Sequence, residues 1–233
     1  MTTLRSLLAT TASAAAMALL TLTLLPSAAQ PVAVTAPAAP ATPVAAAPAA
    51  AVTATECDLL AGDPSDPDRV GPGVPLAQLH GWNDSAILAC QRAVQADPAS
   101  GRLHYNLGRA LFLKRERHTE AQREFLAGAE RRHRQAQFAL GLLYTDGVAG
   151  ELAADPCAAL PLWRDAADRG HDGARVSLAR AHVHGQYRGC ASVPSRATVE
   201  AYLDAAGAAA EGDYYQRLLV TELRERLATA AAP

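Results

Sequence analysis

A small residue, a large one four places on, and a small one three further recur four times along the chain. The copies are Ala86/Cys90/Ala93, Ala121/Phe125/Gly128, Ala159/Trp163/Ala166 and Thr198/Tyr202/Ala205, with the large residues 35, 38 and 39 apart. Offsets of four and three put each trio on one helical face, where the small residues let a neighbouring helix approach. A second pattern alternates with the first. Asn106-Leu107-Gly108-Arg109-Ala110-Leu111 returns as Ala139-Leu140-Gly141-Leu142-Leu143-Tyr144 and as Ser177-Leu178-Ala179-Arg180-Ala181-His182. Each unit therefore reads as a hairpin of a Leu-Gly helix A and a large-residue helix B, whose apolar face is covered only by the next hairpin. The predicted fold is all-α: a short α-solenoid of helix-turn-helix repeats. Its core is expected at Leu107, Gly108, Phe125, Leu140, Gly141, Tyr144, Trp163, Leu178 and Tyr202.

The helix breakers agree with this division. Asp97-Pro98 follows the first helix B, Gly147 and Gly150 interrupt the turn after the second helix A, and Asp155-Pro156 supplies an N-cap with Pro at the first helical position. Gly170 and Gly185 stop later helices. Pro161 falls early in a helix B, which predicts a later start or a kink. Beyond the last repeat, Tyr214, Tyr215, Leu218, Leu219 and Leu223 read as the inward stripe of a C-terminal capping helix, with Arg217, Glu222, Arg224, Glu225 and Arg226 outward. Residues 56–83 show no helix A pattern and read as an irregular N-terminal cap. The repeat domain then spans 84–228, with a tail at 229–233.

The run Ala139-Leu140-Gly141-Leu142-Leu143-Tyr144-Thr145-Asp146-Gly147, followed by Asp155, Ala159, Leu160, Trp163, Ala166, Ala167 and Gly170, resembles the Sel1-like repeat, a relative of the tetratricopeptide repeat. Copy one, with Leu107-Gly108, Ala121 and Phe125, is closer to a plain tetratricopeptide unit, and copy three has Ala179 for Gly and a longer loop before Ser195. The resemblance implies a scaffold that recognises an unidentified protein or peptide, here expected on the concave face.

Composition adds an address. The first 55 residues carry one charge, Arg5. Arg5, the apolar stretch 7–25 and small residues before a cut after Ala29 read as a signal peptide at 1–29. An Ala/Pro-rich linker follows at 30–55. Without cleavage the same stretch would anchor the chain in a membrane, the one route to a membrane partner. The expected location is exported, periplasmic or secreted. In an oxidising compartment the four cysteines, Cys57, Cys90, Cys157 and Cys190, form two disulfides, and four cysteines allow three pairings. The solenoid that the resemblance implies favours Cys157 with Cys190, tying copies two and three, and Cys57 with Cys90, stapling the N-terminal cap.

Chemistry is sparse by comparison. With 21 basic and 23 acidic residues, the chain does not read as a nucleic-acid binder. There is no H-E-x-x-H, G-x-S-x-G, phosphate loop or cofactor motif. Lys114 is the only lysine, so no Ser-x-x-Lys acylation site exists. This bears on the resemblance, since some exported Sel1-like proteins are linked to β-lactams. The histidines, His182-x-His184 included, read as helix-end or surface residues, with no metal site. Asp63-Pro64-Ser65-Asp66-Pro67-Asp68 lacks the Gly and terminal Glu of a calcium loop and reads as a solvated turn. Charge is unevenly placed: residues 56–101 carry a net −5 and residues 109–134 a net +4. A polarised surface can orient a partner, whereas Glu120, Arg123 and Glu124 read as a self-paired helix face. The sequence thus favours a non-catalytic, envelope-located interaction scaffold. The alternatives are a cell-wall-active enzyme, acting on peptidoglycan or a β-lactam, and an accessory subunit of a membrane-tethered assembly.

Overall fold

A helix whose apolar stripe is only three or four residues wide must find a partner, and this chain supplies one after every turn. The computed structural model describes residues 53–148 and 152–229. The signal segment 1–29, most of the linker, Gly150 and residues 230–233 lie outside them. The described helices are α1 (Glu56–Ala61), α2 (Leu76–Gly81), α3 (Asn83–Ala96), α4 (Gly101–Phe112), α5 (His118–Glu130), α6 (Arg134–Asp146), α7 (Pro156–Asp168), α8 (Asp172–Val183), α9 (Arg196–Ala209) and α10 (Tyr214–Thr229). No strand occurs among the described residues. Successive helices pack on one another, as α4/α5, α6/α7 and α8/α9 hairpins joined through α5/α6 and α7/α8. The A helices also touch directly, α1 on α4 and α4 on α6.

Inside each hairpin a ring lies on a glycine. A methyl group on Gly108 would come within 2.7 Å of the Phe125 ring, and one on Gly141 would overlap the Trp163 indole nitrogen. Trp163 is fully buried, and its indole N–H donates to the Phe138 carbonyl at 3.0 Å. Leu107, Leu140, Leu178 and Tyr202 are buried too, while Tyr144 is half-buried and Leu143 turns inward beside it. On the outer side of helix B, Gly128 stands where a methyl would meet Ala136 at 2.8 Å, which lets α5 approach α6 closely.

The turns from α5 to α6 and from α7 to α8 share one design. At the end of α7, Gly170 N–H reaches Ala167 O and His171 N–H reaches Ala166 O, both at 3.0 Å, with Gly170 at φ +88°. These are the two bonds of a Schellman motif. Arg132 at φ +59° and His133 repeat them after α5, onto Ala129 O and Gly128 O. The histidine that closes one helix then opens the next, because Nδ1 of His133 accepts from Ala136 N–H and Nδ1 of His171 from Ala174 N–H.

Four expectations change. Residues 56–83 are not irregular throughout: α1 starts on a capping box of Thr55 and Asp58 and packs on α3 and α4 as the A helix of a first hairpin. A six-residue helix is too short to show a period, so its pattern was invisible. Thr55 accordingly belongs to the fold rather than to the linker, the second helix of that hairpin starts at Asn83, and Thr229 belongs to α10. Helix α7 begins at Pro156 and runs through Pro161, with Asp155 Oδ1 capping Ala158 N–H at 3.1 Å. On α10 the buried face is Val220, Leu223 and Leu227, whereas Tyr214, Tyr215 and Leu218 are exposed. Leu223 is the one fully buried residue of the expected stripe, with Leu219 partly buried against the same core.

Two disulfides are present. Cys57–Cys90, with Cα atoms 4.5 Å apart, joins α1 to α3, and Cys157–Cys190, at 5.2 Å, joins the start of α7 to the loop after α8. The first therefore links the two helices of one hairpin as well as stapling the N-terminal segment.

Replacing Trp163 by Ala should cost about 3–5 kcal/mol in denaturant unfolding. Gly141→Ala should also destabilise, by about 1–3 kcal/mol, although Ala is the better helix former. A stabilised Gly141→Ala protein would refute the ring-on-glycine contact. Cys157→Ser should lower stability by about 2–4 kcal/mol, and equal melting of the oxidised and reduced wild type would contradict a native bridge.

Candidate functional site

Prolines at 64, 67, 72 and 75 and glycines at 62, 71 and 73 keep residues 62–74 out of helix, so their polar groups must be satisfied by tertiary contacts. The segment closes on itself through Val74 N–H to Gly62 O at 2.6 Å. It forms a strap over the A helices, in the manner of an Ω-loop. Two Asx turns shape it, Ser65 N–H to Asp63 Oδ1 and Asp68 N–H to Asp66 Oδ1.

Arg109, on α4 and only 8% exposed, holds the strap by its backbone. Its guanidinium donates to Ala61 O at 3.0 Å, Gly62 O at 3.3 Å and Val74 O at 2.7 Å. Tyr105, one turn earlier, donates its hydroxyl to Asp63 Oδ2, which also lies 3.6 Å from Arg109 Nε. At the start of α6, Arg134 takes both oxygens of Asp68, and His133 Nε2 faces the fully buried Asp66 at 3.2 Å. Since His171 Nδ1 is an acceptor, its Nε2 carries the hydrogen and donates to Gln135 Oε1, and Gln135 Nε2 in turn reaches Ser65 Oγ at 3.5 Å. Loop, α4, α6 and α8 are thus joined by one polar seam. Asp58 extends it to α1, accepting from Asn106 Nδ2 at 3.0 Å and pairing with Arg102.

The electrostatics follow from this packing. Burial alone would raise the Asp63 carboxyl, but hydrogen bonds from Tyr105 and Ser65, with the Arg109 charge, hold it below the ordinary value. The Arg134 hydrogen bonds outweigh burial and hold Asp68 low as well. Burial, with the Asp63 charge beside it, pushes the Tyr105 hydroxyl well up. Burial pushes His171 down to about 4. Neutral His171 and ionised Asp63 and Asp68 are the forms the seam is built for.

Asp63-Pro64-Ser65-Asp66-Pro67-Asp68 is therefore not a solvated turn. The opposed charge blocks pair with each other, Asp63 with Arg109 and Asp68 with Arg134 at the strap and Asp84 with Lys114 at the surface. Arg117 pairs with Glu120 on its own helix end. His182 and His184 lie apart from the seam, at the end of α8. Sequence reading missed the strap, His133 and His171; the matching net charges of the two blocks were the signal that pointed to it.

No family model and no curated protein matches the sequence. Among solved structures, the crystal structure of a Sel1 repeat protein from Oxalobacter formigenes is similar, with 17% identity, a TM-score of 0.45 and a match covering 64% of this chain. The match spans 65% of that chain, less than two thirds of its length.

Acid should loosen the seam from His171 outwards. Its folded value of about 4 lies below the ordinary 6.5, so the unfolded chain binds the extra proton between them and stability falls as pH drops from 6.5 to 4. The scale is about 2–3 kcal/mol. Asp63 and Asp68, both held low, contribute above their ordinary 3.8 and lose their contribution below it. His171→Asn, which keeps a capping acceptor, should flatten the melting profile between pH 6.5 and 4. An unchanged slope would show that His171 does not set it.

Proposed function

We propose that the protein is a non-catalytic interaction scaffold, exported to the cell envelope, that binds another protein through the C-terminal end of its helical stack. The observation that carries this reading is the exposed aromatic row at the start of α10. Tyr214 is 63%, Tyr215 80% and Leu218 53% exposed, and the two tyrosine rings pack edge to face at 5.5 Å. Two adjacent tyrosines with a leucine one turn on expose large apolar side chains together, and contiguous apolar exposure marks interaction surfaces. Tyrosines suit such a place, because they bring apolar area and a polar tip at low entropic cost.

The earlier A helices favour the same end by exclusion. The sides of α4 and α6 that carry Tyr105, Arg109 and Arg134 already hold the strap, so that face is spent on the chain itself. The polar groups of the seam are turned toward one another, which supports a binding role over catalysis. Export is supported by two disulfides, which persist in oxidising compartments. No described helix is long and apolar enough to cross a membrane.

A photo-crosslinking residue at position 215, introduced in the native envelope, should give one defined protein adduct, while the same residue at Arg69 on the strap should give none. Tyr214→Ser/Tyr215→Ser, assayed with the crosslinker at 218, should abolish the adduct and shift stability by less than about 0.5 kcal/mol. Equal adducts at 215 and 69 would defeat the assignment. On this reading the mature chain from the envelope has an intact mass starting at Gln30, with no free thiol.

A further inference from the structure

We propose that Asp66, Asp68 and His133 form a binding site for a divalent transition-metal ion of the Zn²⁺ class, which would pin the strap to the start of α6. His133 Nε2 and Asp66 Oδ2 lie 3.2 Å apart, yet neither atom makes a hydrogen bond, because the carboxylate oxygen stands off the axis of the ring nitrogen. Both residues are more than nine-tenths buried, at 7% and 0% exposure. Buried polar atoms left in this state are costly, and native proteins rarely keep a facing pair of them.

The spacing fits a shared ion. Zinc bonds of about 2.1 Å at tetrahedral angles place neighbouring donor atoms about 3.4 Å apart and off each other's lone-pair axes. A carboxylate oxygen of Asp68 completes the group, all three ligand atoms lying within 4.8 Å of one another. The Asp68 side chain is 37% exposed, which gives an ion an entry path and the carboxylate room to close. Arg134, which holds both Asp68 oxygens, would orient that ligand as outer-shell partners do, leaving a remaining lone pair of the carboxylate for the ion. The two carboxylates supply the anionic oxygens a divalent ion requires, and with the Arg134 charge beside Asp68 the group carries one net negative charge. The imidazole nitrogen selects against Ca²⁺ and Mg²⁺, which take oxygen ligands, and for Zn²⁺ or its first-row neighbours.

Ligation has one identifiable cost. Nε2 can bind a metal only if the ring hydrogen moves to Nδ1, which gives up the cap bond from Ala136 N–H. That bond is 3.4 Å long, against 3.0 Å for the corresponding bond of His171, so the ring at the candidate site has the weaker bond to lose.

The test is calorimetric titration of the oxidised, chelator-treated full chain with Zn²⁺ near neutral pH. One ion per chain is expected, with a rise in melting temperature. His133→Asn, which retains a capping side chain, and the near-isosteric Asp66→Asn should each weaken binding about tenfold or more. His182→Asn/His184→Asn should leave it unchanged. Absence of stoichiometric binding overturns the proposal. So does binding that survives both site substitutions, or that disappears with the His182/His184 pair. Should a site variant fail to fold, X-ray absorption at the zinc edge of the wild-type complex decides: one imidazole nitrogen with oxygen donors is expected, and two or more imidazoles would refute the site.

Discussion

The contact between the ring of helix B and the glycine of helix A is the constraint that organises the stack. Trp163 can be fully buried only because Gly141 has no side chain, and Phe125 depends on Gly108 in the same way. Removing the side chain costs helix propensity, about 1 kcal/mol for glycine. Burying an aromatic side chain returns more than that. The close approach also fixes the register of the two helices, since a shift of one residue would set a Leu or an Arg against the ring. Hairpins in register present the same outer face each time, and stacking follows from repetition.

The chain that leaves α1 crosses the A helices α4 and α6 as the strap, and a strap without secondary structure brings a dense set of backbone and carboxylate groups to be satisfied. Arg109 answers with one guanidinium for three carbonyls. The cations used to hold the strap, Arg109 and Arg134, then stop being available to a partner. The net charges of the two blocks therefore describe, in part, an internal interaction: Arg109, Lys114 and Arg134 of the basic block pair with Asp63, Asp84 and Asp68 of the acidic one.

Legibility tracked periodicity. The trios at Ala121/Phe125/Gly128 and Ala159/Trp163/Ala166 announce their helices because spacing of three and four has one physical meaning on an α-helix. The N-cap at Asp155 and the stops at Gly170 and Gly185 were equally local. The strap was not legible, for its meaning lies in pairings across long separations, Asp63 with Tyr105 and Asp68 with Arg134, which no window contains. His171 failed for a related reason: a histidine that closes one helix and caps the next looks like any loop histidine until both helix ends are known. On α10 the expected stripe shares only Leu223 with the buried face, which Val220 and Leu227 complete. Periodicity tells which residues share a face, while the length of the neighbouring helices decides how much of that face is covered.

The first hairpin shows what happens when the ring is missing. Its large-residue slot holds Cys90, which is fully buried but cannot fill the space of an indole or a phenyl ring. Its A helix, α1, has only six residues and could not offer a long seat to a ring in any case. The two helices are instead joined covalently through Cys57, and the strap that leaves α1 is gripped by the next A helix. A bridge and a polar clamp thus stand in the place that aromatic burial occupies in the later copies. The compensation carries a dependence on an oxidised cysteine pair and on carboxylates that must stay ionised. The later copies share part of it, since Cys157–Cys190 ties α7 to the loop after α8 and His171 closes α7. There, however, the bridge adds to a buried aromatic layer, whereas in the first hairpin it replaces one.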